Sequence, residues 1–462
     1  MSTRKRILGL TIPDGRPIFE PTANASSLVL AAMGGGKTTC VAIPTIMSLL
    51  ADKNQALFVN DVKSGEIAHQ IAELARIHGR KFAVIDDFGV MDADYPYRID
   101  VNPFSAAVSV ASNNPGELPL AAEGIAHTLI FEPGDDAKNL YWRESPRELL
   151  GLLLKLMLTR HARLATPGAL QSLVADTEFL SRVLADEADD PDSALKSEAA
   201  SWLSFRADNP EHFYQHHRAA CSSLKSFASG ALASAGRQPD MTHAELIRDG
   251  WIVCFVSPVQ HAERLGAYVA LHVLSLLHAQ LSGPVGRVCL VLDEFCNSPL
   301  KEAVSRITIF RAYGVKAVYI TQSRQDIVRK YGEKETAILE ENATVKQWLK
   351  FSNFEEAERV SKAMGEKLHV SRGLGLNSDQ PGFSGNLGIG RERLFSAHEL
   401  LNLPDDEQII HIAGLGFIHA KKVRQNQIAP YCFDLADNPL EGGRLPPDPK
   451  VFLSVPDDGD AP

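Results

Sequence analysis

Cysteine is scarce in this chain and follows no pattern. Six of them (Cys40, Cys221, Cys254, Cys289, Cys296, Cys432) are spread over 462 residues with no C-x-x-C pair. That excludes a disulfide framework and reads as free, buried thiols in a reducing cytoplasm. The fifteen histidines include no H-E-x-x-H spacing, and the adjacent His216 and His217 read as solvated rather than metal-bound. Long apolar runs are lacking as well. The best, ELLGLLLKLML from Glu148 to Leu158, is about half the ~20 residues a bilayer-spanning helix needs and carries Lys155. The N-terminus MSTRKRILGL is basic but has too short an apolar core for a signal peptide. Nor is there an excess of positive charge: 47 Lys and Arg stand against 57 Asp and Glu, a net charge of −10. This excludes a simple DNA-coating protein, whose affinity comes from neutralising phosphates. It leaves room for a motor that gathers its basic groups in a channel. What is present, 45% hydrophobic and 23% charged residues, is the composition of a soluble globular chain with a large core, in two or three domains.

Short β-branched and aromatic runs recur between polar or glycine punctuation. They predict strands at 27–32, 56–60, 82–86, 251–256, 288–292, 315–320 and 408–412. Several are almost continuously apolar, as suits strands covered on both faces of a parallel sheet. Helical patterns fall between them, at 65–78 and 265–281, so the alternation argues a doubly wound α/β core. From 106 to 236 strand signal is almost absent and helical periodicity dominates, as in RELLGLLLKLML. The chain therefore divides into 1–105, the first part of a nucleotide-binding domain; 106–236, an all-helical insertion; 237–440, the second part; and 441–462, a flexible tail. The stretch 371–390, rich in Gly, Ser and Asn, reads as a mobile loop.

The segment SSLVLAAMGGGKTTCVAIPT (Ser26 to Thr45) approaches the phosphate-loop pattern G-x-x-x-x-G-K-[ST]. Gly36, Lys37 and Thr38 fit, but Ala31 holds the first glycine position. In such a loop backbone N–H groups converge on phosphate oxygens, helped by the positive end of a helix dipole. Lysine reaches the β/γ phosphates and the Ser or Thr hydroxyl binds Mg²⁺. Gly34, Gly35, Gly36, Lys37, Thr38 and Thr39 form the expected cradle. Ala31 lies where the strand ends, so it costs little there unless its φ must be positive. A second apolar strand ends in Asp293-Glu294. Asp293 is placed to hold Mg²⁺ and Glu294 to take a proton from water. A third ends at Thr321-Gln322, an amide that could sense a terminal phosphate. A fourth is followed by Asp61, Lys63 and Glu66, which read equally as part of this site or as a helix N-cap with acids at the dipole's positive end.

With these residues in hand, the chain resembles the type IV secretion coupling proteins, the TraG/TraD-like family. GGGKTTCVAIPTI resembles the family's phosphate loop, with Pro44 in the helix that follows. NDVKSGE resembles its D-P-K-G-E, one residue longer, and YRIDVNPF its Y-N-P-L. NLYWRESPRELLGLLL is similar to the tryptophan-bearing helix of the family's all-α domain. VLDEFCNSPL, YGVKAVYITQSRQDIVRKYGE, NATVKQWLKFSNFEEAERVSKAMG and RERLFSAHELLNLPDDEQIIHIAGLGFIHAKK carry it to the C-terminal side. The resemblance implies a RecA-like fold and an ATP- and Mg²⁺-dependent homo-hexamer. Its implied partners are single- or double-stranded DNA, a relaxase or secreted protein, and channel components. It also implies that the helical insertion recognises substrate. Arg311, just before Gly314, stands where some members carry an arginine that reaches a neighbour's nucleotide; a surface ion pair is the other reading, and Arg324 the next candidate. The family usually opens with membrane helices and this chain opens near its nucleotide domain. A cytoplasmic protein that reaches the inner membrane through a partner is therefore expected, or one that acts without an anchor. A nucleotide-binding recruitment platform and a DNA translocase unconnected with secretion remain competing readings. Ala31→Gly should change steady-state ATP turnover by less than about tenfold, or ~1.4 kcal/mol; a larger gain would show that the missing glycine matters.

Overall fold

The computed structural model describes residues 5–132, 139–376, 383–440, 443 and 445–453. In chain order the strands are β1 (Ile7–Thr11), β2 (Pro17–Phe19), β3 (Ser27–Ala31), β4 (Gln55–Asp61), β5 (Phe82–Ile85), β6 (Ile252–Val256), β7 (Arg287–Leu292), β8 (Val315–Thr321) and β9 (Val345–Lys350). They continue with β10 (Glu366–Leu376), β11 (Phe383–Arg393), β12 (Glu407–Ile412) and β13 (Gly416–Lys421). Eleven of these form one sheet in the order β2-β1-β13-β12-β9-β3-β8-β7-β4-β6-β5. From β9 to β5 every neighbour is parallel. Beyond β9, the strands β12, β13, β1 and β2 add an antiparallel wing.

All seven expected strands are present, within two residues at each end. β12 differs in direction, since it runs antiparallel against β9. The stretch 371–390 is not simply a loop: most of it lies in β10 and β11, which pair as an antiparallel hairpin. Residues 377–382 of that stretch, and residues 441–442, 444 and 454–462 of the expected tail, lie outside the described residues; Val451–Phe452 of the tail is tied down, pairing in parallel with Ile428–Ala429. Between 105 and 233 the described residues form helices and connections with no strand. His216 and His217 are buried rather than solvated, and the His217 ring pairs with the Val174 carbonyl at 2.7 Å. All six cysteines are free.

The two-residue period of the strands sorts their side chains onto two faces. Leu28, Leu30, Phe58, Phe255, Leu290 and Tyr319 point to one face. There they join a single apolar cluster with Leu149, Leu153 and Leu156 of the helix Leu140–His161 and Leu274 of the helix Gly266–Leu281. Val29, Leu57, Val59, Cys254, Val291 and Ile320 point to the other face. That face is covered by the helices Ile43–Leu49 and Glu66–Ile77 and by Val423, Ile428 and Tyr431 from the C-terminal side.

The antiparallel wing is clamped by a buried ionic cluster. Lys316 on β8 donates to Glu20 at 2.5 Å, and both side chains are fully buried. The backbone N–H of Arg6 donates to the same Glu20 oxygen at 2.9 Å, while the Arg6 guanidinium donates to Ser27 at 2.8 Å. Two cations thus share one anion, and burial pushes the Glu20 carboxyl above its ordinary range. Removing one member strands the others without a counter-charge. Glu20→Gln should cost about 3–5 kcal/mol in urea-unfolding free energy. The triple replacement Arg6→Met, Glu20→Leu and Lys316→Met, which leaves no buried charge in the cluster, should recover much of that loss.

Candidate active site

Parallel strands end at one edge, so the residues that follow β3, β4, β7 and β8 meet there. The loop after β3 needs its glycines for separate reasons. Gly34 and Gly36 have φ of +72° and +90°, the region L-residues avoid. At Gly35 a Cβ would sit 2.9 Å from the Ala32 carbonyl oxygen. Ala31 needs none of this: it is the buried last residue of β3 and is not among the positive-φ positions. The chain then opens a wide π-type turn, Thr38–Ala42, in which the Ile43 N–H reaches back to the Thr38 carbonyl. The regular helix starts only at Ile43, so Pro44 falls in its first turn, where no N–H is required.

Asp293 and Glu294 follow β7. Among the described residues Glu294 is one of two non-glycine residues with positive φ (φ 50°, ψ 45°), a strained backbone of the kind found at functional sites. Its carboxylate Oε1 forms a close ion pair with Lys37 Nζ, and the Gln322 amide approaches the same oxygen at 3.4 Å. The phosphate-loop lysine, the acid pair and the end of β8 therefore converge on one atom. Asp293 is buried, and its backbone carbonyl accepts from Asn60 Nδ2 at 2.9 Å. Its carboxyl is pushed up to about 6, chiefly by burial and then by the Glu294 charge, with Lys37 and Lys63 opposing.

The Asp61-Lys63-Glu66 group divides between its two readings. Asp61 caps a helix: its Oδ2 accepts from the N–H groups of Ile67 and Ala68 at 2.9 and 2.8 Å. Burial pushes the Asp61 carboxyl up to about 7. Lys63 belongs to the site, donating to the Thr38 hydroxyl at 3.0 Å and pairing with Glu66 at 3.2 Å. Thr39 faces away, toward the Cys40 sulfur at 3.8 Å. Lys422, which no motif singles out, donates to the Gly35 carbonyl at 3.2 Å and to the Asp405 carbonyl at 2.9 Å. Because a trans peptide is planar, holding the Gly35 carbonyl one way aims the Gly36 N–H the other. Asn60 was equally unmarked. Its only signal is a polar amide directly after the apolar run Ala56–Val59.

Arg311 does not join this group. It is exposed and precedes β8, whereas Gln322 follows β8. The strand between them spans roughly 20 Å. Arg324 is held within its own chain by Glu333 at 2.8 Å and Glu340 at 3.2 Å. The arrangement therefore offers two lysines, a glycine-rich loop at a helix start and two carboxylates of different burial. The Thr38 hydroxyl and the Asp293 carboxylate supply the hard oxygens that Mg²⁺ prefers. An ammonium already stands on that hydroxyl, so the position suits a cation.

A family model described as "Type IV secretory system Conjugative DNA transfer" matches residues 14–431. The chain belongs to this family. No curated protein sequence matches it. Among solved structures it is similar to the bacterial conjugative coupling protein TrwBdeltaN70 in its trigonal form with sulphate. There the TM-score is 0.66 at 17% identity, over 91% of this chain and 90% of that one. The plasmid coupling protein TrwB bound to the ATP analogue ADPNP gives 0.64 at 18%, over the same shares. VirB4 of Thermoanaerobacter pseudethanolicus gives 0.53 at 15%, over 94% and 99%. The fold is that of a RecA-like P-loop NTPase. Among the described residues no helix is long and apolar enough to cross a membrane.

The raised carboxyls of Asp293 and Asp61 have a direct consequence for stability. Both bind protons more tightly when folded. Their destabilising effect is therefore absent below about pH 4 and grows as pH rises through 6 to 7. Asp293→Asn should accordingly be more stable than the parent chain at pH 8, by about 2–3 kcal/mol. The two should converge near pH 4 in thermal or urea unfolding.

Proposed function

We propose that the chain is an ATP hydrolase that drives DNA or a DNA–protein complex into a type IV secretion channel. The observation that carries this reading is the single Glu294 oxygen approached by both Lys37 and Gln322, because it brings a phosphate-binding cation, a base and a sensor to one point. In this reading the N–H groups around Gly34 to Thr38 cradle the phosphates, and Lys37 exchanges its carboxylate partner for a phosphate oxygen. Thr38 and Asp293 hold Mg²⁺, which when bound neutralises charge on the terminal phosphate. Glu294, freed from Lys37, orients water and takes its proton. Gln322 registers whether the terminal phosphate is there and passes that state along β8.

Arg311 enters only through assembly. Its distance from the site in its own chain fits a role in a neighbour's site, as a ring of six would allow. In that ring an arginine that neutralises phosphoryl charge is worth roughly 10³–10⁵ in rate. The ring also answers the net charge of −10, since only its lumen need be positive. The helices between 105 and 233 recognise the cargo, and contact with the inner membrane runs through a partner protein.

Hydrolysis measured with and without single-stranded DNA tests the motor. Stimulation by DNA supports it, and nucleotide binding without turnover would favour a recruitment platform. Lys37→Ala should abolish nearly all turnover, and Glu294→Gln should bind ATP but hydrolyse it slowly. Arg311→Ala and Lys37→Ala, each inactive alone, should recover partial activity when mixed, because some interfaces then pair an intact loop with an intact arginine. Normal turnover by an oligomeric Arg311→Ala protein would remove Arg311 from the site.

A further inference from the structure

Lys63 stands where its own site needs a different cation. Its Nζ donates to the Thr38 hydroxyl at 3.0 Å, the same oxygen that would ligate Mg²⁺. Asp293 and Glu294 are close enough to favour its charge. On its other side it pairs with Glu66 Oε2 at 3.2 Å. Glu66 is itself buried, and its second oxygen accepts from Asn438 at 2.9 Å. One Glu66 oxygen is thus fixed by an amide, and the other is left to the ammonium.

The backbone that carries Lys63 is tightly specified. Ser64 and Gly65 are consecutive left-handed residues, with φ of 55° and 86°. A Cβ on Gly65 would lie 2.4 Å from the Met91 sulfur. Ser64 is tied on both sides, its N–H to the Ser257 carbonyl at 3.2 Å and its hydroxyl to the Val259 N–H at 3.2 Å. What can move is the side chain. It is about a third exposed, at 37%, on a flexible four-carbon stem.

We propose that Lys63 is a displaceable cation: it occupies the Thr38 hydroxyl, yields that oxygen to Mg²⁺, and withdraws onto Glu66. The inference rests on the reading of Lys37 and Thr38 as a phosphate loop. An ammonium and a divalent ion on one hydroxyl repel each other strongly, so the two are alternatives at that oxygen. Lys63 then does two things. It keeps the acid cluster neutralised before nucleotide arrives, and it makes nucleotide binding less dependent on Mg²⁺ than the loop alone would be.

Calorimetric titration of the full chain with ADP, in Mg²⁺ and in EDTA, tests this for the parent protein, Lys63→Met, Lys63→Gln and Lys37→Met. The loss of ADP affinity in both Lys63 variants should be about tenfold or more greater in EDTA than in Mg²⁺. Equal losses in both conditions, or none in EDTA, would overturn the proposal. A parent chain that binds ADP no better than Lys37→Met in either condition would instead sink the phosphate-loop reading, and this inference with it. Mn²⁺ titrated into the nucleotide-free proteins gives a second readout by electron paramagnetic resonance. Lys63→Met should take up Mn²⁺ at a several-fold lower concentration than the parent, and equal uptake would overturn the competition.

Discussion

Seven neighbouring strands run in the same direction, and the position of each site residue descends from that ladder. β3, β4, β7 and β8 end at one edge, so Lys37, Lys63, Asp293-Glu294 and Gln322 meet although nearly 290 residues separate the first from the last. The register is as binding as the direction. Leu292 stands opposite Tyr319, and Val291 opposite Val318. A slip of one residue in β7 would exchange its two faces and turn Leu290 away from the helical cover. Both faces are packed in apolar side chains, so no such slip is tolerated.

Gathering charge at the edge of that sheet runs against stability. Asp293 and Asp61 are buried carboxyls raised well above their ordinary range, and Glu294 holds a backbone conformation unusual for glutamate. The remainder of the fold offsets these costs with two apolar layers. The single cluster shared by the sheet and the helices Leu140–His161 and Gly266–Leu281 is the larger of them. Lys37 and Lys63 soften the local cost by lying on Glu294 and Glu66. In the proposed reading, the same acids that favour a cation at rest are the ones that release it.

Much of this was readable from residue order, and the failures have physical causes. Buried parallel strands announce themselves as apolar runs, so β3 through β8 were found. β9, with its VKQWLK alternation, and the partly exposed β13 were not, because polar residues interrupt their apolar runs, and β1 is buried but only five residues long. Gly and Ser between 371 and 390 suggested a loop, yet small residues can also pair as a hairpin. His216 and His217 looked like surface residues because polarity alone does not reveal that Phe205 and Phe213 surround them. Within the candidate site, Lys37, Asp293, Glu294 and Gln322 stand out in the sequence because each follows an apolar strand, and the structure brings these strand ends to one edge. Asn60 and Lys422 do not, since each acts through a backbone carbonyl that no motif records.

The place of β3 between β8 and β9 also sets an order of assembly. Its two neighbours begin at Val315 and Val345, so a nascent chain lacks either hydrogen-bonding partner for the loop-bearing strand until about 280 further residues have been made. At 5–20 residues per second that is a wait on the order of tens of seconds. During this time the strand's ladder groups have no sheet to join. The phosphate loop is encoded before both strands that flank β3 and completed only after them, so nucleotide has no finished cradle to enter until the Gln322 strand and the one beyond it are in place.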